Sequence, residues 1–230
     1  MKLIVTLLTS WLVGSSAFAE KPDIVELGDG NYSLGLVKFN EDSRHISFPA
    51  EINQSEGIVE FAIAHENGKI HEALLITKTS ALHLNIALKL LRYQSSPELF
   101  PVLDENFETT GEMPKVSEEQ KAAARLQVLV SWVIDGKPQE CTLNDLIYHA
   151  ENEKKMEAAP WIYQGSYIHN KTFKAETSGD IGAIFITRSS LINFSGQDNE
   201  SDEPWVPNEK LVPPTTTPVT VTFTPFTAQK

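Results

Sequence analysis

The sequence predicts an α+β domain, mainly antiparallel β, built as a sandwich or partly open barrel with two short helices packed on it. Three observations predict it. Short runs of alternating apolar and polar residues recur along the chain, tight Asn-Gly and Asp-Gly turns follow two of them, and only two segments carry helix-capping signals.

Taken in order, Tyr32 to Phe39 and Arg44 to Asn53 read as strands around the polar turn Asn40-Glu41-Asp42-Ser43. Ile58 to Glu66 and Lys69 to Thr77 flank Asn67-Gly68, the signature of a two-residue type I′ hairpin. Ser80 is placed to cap a helix over Ala81 to Tyr93, with Leu84, Leu88 and Leu91 on one face. Residues 94–120 carry Pro97, Pro101 and Pro114 and little periodicity, which predicts a long loop, either a lid or an edge covering. Leu126, Val128, Val130, Trp132 and Ile134 alternate along a strand that Asp135-Gly136 turns back toward Gln139 to Cys141. Thr142 and Asp145 have capping-box spacing ahead of a short helix carrying Leu146 and Ile147. Trp161 to His169 and Ile181 to Thr187 read as strands. Val219, Val221 and Phe223 alternate with Thr220, Thr222 and Thr224 in a last half-buried strand.

The first 19 residues read as a cleavable export signal. Lys2 supplies the positive start, and Leu3 to Val13 is apolar apart from Thr6, Thr9 and Ser10. Ala17-Phe18-Ala19 then puts small residues where a signal peptidase reads, so the cut falls before Glu20. The apolar run is roughly half the ~20 residues that a membrane-spanning helix needs. The expected product is a single exported domain, Glu20 to Lys230, periplasmic or extracellular, with no membrane insertion after cleavage.

The net charge of −12 for the whole chain becomes about −13 once Lys2 leaves with the leader. Such a surface repels nucleic acid and anionic lipid. Cys141 is the one cysteine, so an internal disulfide is impossible and the packed core must hold the domain together. It reads as a structural thiol.

In the register of a two-residue hairpin, Val59, Phe61, Ile63, His65, Ile70, Glu72, Leu74 and Ile76 share a core face. Glu72 lies in its middle with His65 as diagonal neighbour, while His71 points to the other face. A carboxyl in that position needs a partner or a proton, and a raised carboxyl pKa is what acid–base catalysis uses. The plainer alternative is a satisfied structural pair. His71-Glu72 does not begin a zinc-protease motif, because Leu75 holds the place of the second His.

Gly68-Lys69-Ile70-His71-Glu72-Ala73-Leu74-Leu75, followed by a helix, resembles the most recognisable stretch of the YdjY-like domain family. Trp161 to Ser166, Gly179 to Asn193 and the Pro-rich lead into the last strand are similar to it as well. Together they cover most of the chain from Tyr32 onward. The resemblance implies a fold and an exported bacterial location. It carries over no catalytic residue, but it singles out His71-Glu72.

Asp198, Glu200, Asp202 and Glu203 form an acidic loop whose alternating carboxylates suit calcium. The loop lacks the EF-hand glycine, and a solvated acidic loop is the simpler reading. Trp161, Tyr163 and Tyr167 have the period-two spacing of core aromatics, and Trp205, between prolines, is the candidate for an exposed ring. No phosphate loop, dinucleotide fingerprint or nucleophile elbow is present. The expectation is an exported accessory or binding domain without catalysis, with an envelope protein or glycan as partner. The alternatives are a small enzyme using Glu72 with His65 or His71, and a calcium-stabilised adhesion-type module.

Overall fold

A computed structural model describes residues 23–227. The export signal expected at residues 1–19 lies outside them. The chain opens with β1 (Ile24–Gly28), β2 (Asn31–Leu34), β3 (Val37–Asn40), β4 (Ile46–Ile52) and β5 (Phe61–His65). A 3-10 turn (Ile70–Glu72) precedes β6 (Ala73–Thr77) and α1 (Ala81–Leu90). After a long excursion come α2 (Glu118–Ala124), β7 (Arg125–Ile134), β8 (Lys137–Thr142), a second 3-10 turn (Leu143–Leu146) and β9 (Ile147–His149). The remainder is β10 (Lys154–Lys155), β11 (Trp161–Tyr163), β12 (Ile168–His169), β13 (Thr172–Phe173), α3 (Lys174–Ser178), β14 (Asp180–Ala183), β15 (Ile192–Phe194), β16 (Trp205–Pro207) and β17 (Pro218–Pro225).

Eight strands close on themselves in the order β4-β17-β7-β11-β15-β14-β5-β6, and β6 pairs back to β4. The expected β-rich domain is therefore a closed barrel, neither a sandwich nor a partly open one, and three short helices stand among the described residues where two were expected. Closure removes the sheet edges along the barrel wall. Two hairpins extend beyond the wall. β1, β2 and β3 continue from β4, and β8 continues from β7.

The interior follows from alternation. Leu126, Val128 and Val130 of β7 and Val219, Val221 and Phe223 of β17 point inward and are buried, as their spacing predicts. Phe48 meets Phe223 edge to face across the strands, with ring centres 5.2 Å apart. Tyr163 donates its hydroxyl to Asn85 Oδ1 of α1, and Trp161 donates its indole N–H to Asn144 Oδ1 of the second 3-10 turn. Each of these large interior rings thus finds a polar partner on an element packed against the barrel. Local signals hold at both elements. Ser80 caps α1 by accepting from the His83 N–H, and Thr142 with Asp145 forms a full capping box, although on a 3-10 turn instead of an α-helix.

The segment around Asn67-Gly68 corrects the expected hairpin. β5 and β6 are parallel, with Phe61 beside Ala73 and His65 beside Thr77. The link Glu66–Glu72 runs back along β5 and ends in the 3-10 turn. Neither Asn67 nor Gly68 has the positive φ that a type I′ turn requires. Asp135 and Gly136, at φ 50° and 74°, do have it, and they join β7 to β8 in the expected register, Ile134 opposite Lys137. Gly68 serves a different need. A Cβ there would lie 2.9 Å from the Ser178 carbonyl oxygen and 3.0 Å from Gly179 Cα, so the glycine permits the link to lie against the end of α3.

The aromatics divide differently from their spacing. Trp161 and Tyr163 are core, but Tyr167 is exposed. Trp205, the expected exposed ring, is buried, edge-on between His149 and Phe194. No helix among the described residues is long and apolar enough to cross a membrane.

Candidate functional site

The parallel register takes apart the expected His65–Glu72 pair. His65 closes β5 beside Thr77, whereas Glu72 precedes β6 at the other end, so the two lie at opposite ends of the strand pair. His65 Nδ1 accepts the Asn67 N–H at 3.2 Å, an intraloop role. Glu72 is not central to an apolar face. Its side chain is partly exposed, and the exposed His71 places Nε2 at 3.2 Å from Glu72 Oε1.

The same register makes a pair that periodicity does not reveal. The Glu60 N–H donates to the Glu72 carbonyl at 3.0 Å, which brings the two carboxyl side chains together. Burial first, and then the Glu72 carboxylate, raise the pKa of Glu60, with Asp202 adding to this and Lys69 opposing it. Lys69 lies over the Phe61 ring, its Nζ 4.8 Å from the centre, and so stays close to the pair. Asn53 fixes the turn by donating to the carbonyls of Ile70 and Ala73. Chemically this is a carboxyl with a raised pKa beside a second carboxyl that has an imidazole next to it.

The acidic loop is held by its own contacts. His149 is buried, its Nδ1 accepts the Asn152 N–H at 3.3 Å, and its Nε2 lies 3.1 Å from Asp198 Oδ2 and 3.2 Å from Asn152 Nδ2. The Trp205 indole donates to the Asp198 carbonyl at 3.2 Å. Asp198 is therefore used in pinning the loop to β9 and β16. Among the described residues no three His, Cys, Asp or Glu side chains gather in a group that could hold a metal ion.

Cys141 is half-buried and opposite Val130. Burial, followed by the charges of Asp145 and Glu140, pushes its thiol up to about 12, which keeps it an unreactive thiol.

The main concavity lies elsewhere. One hollow of about 660 Å³ is lined by Asn144, Lys155 and Met156, among others. A second, of about 810 Å³, lies between Leu99, Met113, Arg125 and Pro160. They share Glu157, Ala159 and Phe226, so the two hollows adjoin in one grooved region. Its wall comes from both ends of the long excursion, which supplies Glu98, Leu99, Met113 and Pro114, and from the segments flanking β11 and β17. The expected loop at 94–120 thus becomes a groove wall, and its last residues form α2. Two side-chain atoms on this wall, Glu98 Oε2 and Arg125 Nε, are buried without a hydrogen-bond partner in the chain. The floor is set by Gly196, where any side chain would run into the Phe194 ring and the Glu157 carboxylate. Glu157 is itself held by the Gln197 N–H. These residues come from distant parts of the sequence, and the weak patterning of 94–120 was the only signal available. No family model, curated protein or solved structure matches this chain.

Proposed function

We propose that this protein is an exported accessory or binding domain of the cell envelope and that the groove around Glu157, Ala159 and Phe226 is its ligand site. The observation that carries the reading is the pair of adjoining hollows, of about 660 and 810 Å³, whose apolar lining includes Leu99, Met113, Ala159, Pro160 and Phe226. The leader-like first 19 residues support export. The test is amide NMR of residues 20–230 titrated with panels of peptides and oligosaccharides. Saturable shifts at groove residues, lost in Met113→Trp, which plugs the mouth from an exposed position, are the expected result. Shifts confined to other surfaces, or none, would overturn it.

A second reading is a small exported enzyme in which Glu72 works as acid or base with His71 beside it, His65 being at the far end of the strand pair. The bond from the Glu60 N–H to the Glu72 carbonyl and the raised pKa of Glu60 favour it, because a carboxyl that keeps its proton more readily can serve as an acid. It requires a turnover that Glu72→Gln abolishes while the melting temperature is kept. A variant that only melts earlier gives Glu72 a structural role.

A further inference from the structure

We infer that the outer edge of β1 docks an extended polypeptide segment in which a Lys or Arg stands among apolar residues, added as a further strand of the sheet. This surface is separate from the groove and does not depend on it. β1 ends the sheet order, and among the described residues no strand pairs with its outer side. Alternate backbone N–H and C=O groups of a terminal strand point away from the sheet, and another extended backbone is what meets such a row in register. The other projecting strand, β8, is guarded: Pro138 offers no N–H, and Lys137 stands next to it. β1, with the sequence Ile-Val-Glu-Leu-Gly, holds neither a proline nor a lysine. Its Ile24, Val25 and Leu27 are 46%, 51% and 54% exposed.

The register says what the added strand must carry. Ile24 lies opposite Leu34, and Leu34 opposite Val37, and the last two are buried. A strand laid along β1 continues this row, so an apolar side chain belongs beside Ile24. Glu26 is on the same face, two residues on, and lies opposite Tyr32, which stacks on Phe39 with ring centres 5.5 Å apart. Glu41 raises the Tyr32 hydroxyl pKa most, and Glu26 and Asp42 add to it, so acids from β1 and from the turn after β3 act on one spot. A Lys or Arg of the added strand beside Glu26 meets that field with the opposite sign. On the other face Val25 asks for an apolar neighbour. A second copy of this chain is a poor occupant. It would set the same acids against themselves, in chains that each carry a net charge of −12.

The experiment selects phage-displayed random 12-residue peptides on residues 20–230. Enriched peptides are synthesised and followed by amide NMR and hydrogen exchange. The expected result is peptides with a Lys or Arg among apolar residues, shifts along β1, and slowed exchange of the β1 amides that point outward. Glu26→Lys, at an exposed position, should lower the affinity about tenfold, and N-methylation of one alternate set of peptide amides should abolish binding. Sedimentation velocity of the peptide-free protein should show a monomer. A dimer whose dilution moves the β1 resonances would give the edge to a second copy and overturn the proposal. Enriched peptides without a basic residue, shifts at β1 without slowed exchange, or no binding at all would overturn it too. Shifts at Met113 and Phe226 in place of β1 would also overturn it, while supporting the groove as a ligand site.

Discussion

The Glu60 N–H donates to the Glu72 carbonyl at 3.0 Å, and through that bond two carboxyl groups share one side of the barrel. Their proximity raises the pKa of Glu60 after burial has already done so. A carboxyl whose folded pKa lies above its unfolded value adds stability that is complete at low pH and is lost as pH rises through the folded pKa. Glu60→Gln removes the repulsion that appears on ionisation. It is expected to raise the melting temperature at pH 8 and to change it little at pH 4. Melts at the two pH values check this; a loss at pH 8 that is absent at pH 4 would mean that the Glu60 carboxylate makes a favourable contact of its own.

Gly68→Ala tests why the link between β5 and β6 carries a glycine. Its Cβ would meet the backbone of Ser178 and Gly179 at 3.0 Å or less, where no flexible side chain can yield. A loss of about 1–3 kcal/mol is expected, the usual size of an overpacking strain. Urea unfolding measures it. A loss below a few tenths would show that the link can move away from α3.

Tyr163→Phe removes the hydroxyl that Asn85 accepts inside the barrel. It leaves Asn85 Oδ1 buried and unpaired, for an expected cost of about 1–3 kcal/mol. Burial pushes the Tyr163 hydroxyl up to about 12, so in a spectroscopic titration it should ionise after the exposed tyrosines. A Tyr163→Phe spectrum identical to wild type between pH 9 and 11 would agree with this, and a lost early-titrating component would refute it.

Cys141, with its thiol held up near 12, should resist a thiol reagent at pH 8 in the folded protein and react fully in urea. Reaction in the native state at the rate of a free thiol would show that the β7–β8 hairpin opens readily.

Local chemistry was legible in the sequence. Ser80, the Thr142–Asp145 box and the Asp135-Gly136 turn act within a few residues of themselves, so their patterns survive any tertiary arrangement. The alternation of Val219, Val221 and Phe223 is equally local, because a strand's two faces are set by its own period. Asn67-Gly68 misled for a physical reason. A glycine admits both a left-handed turn and a close backbone approach, and only the presence of Gly179 across the link selects the second. That choice made β5 and β6 parallel, separated His65 from Glu72 and joined Glu72 to Glu60.

The candidate sites depended on the same kind of distant contact. Asp198 has the composition of a calcium ligand, yet His149 and Trp205 occupy it from other strands. Glu98 and Arg125 carry no local signal, and they line a common hollow only where the long excursion meets the segments flanking β11, β15 and β17. The sequence by itself determined an acidic, β-rich chain with a leader-like start, its caps, its Asp-Gly hairpin and the inward faces of its central strands. Tertiary structure alone decided barrel closure, the parallel pair and the groove, because each depends on which distant backbone fills the space beside a residue, and no local periodicity encodes that.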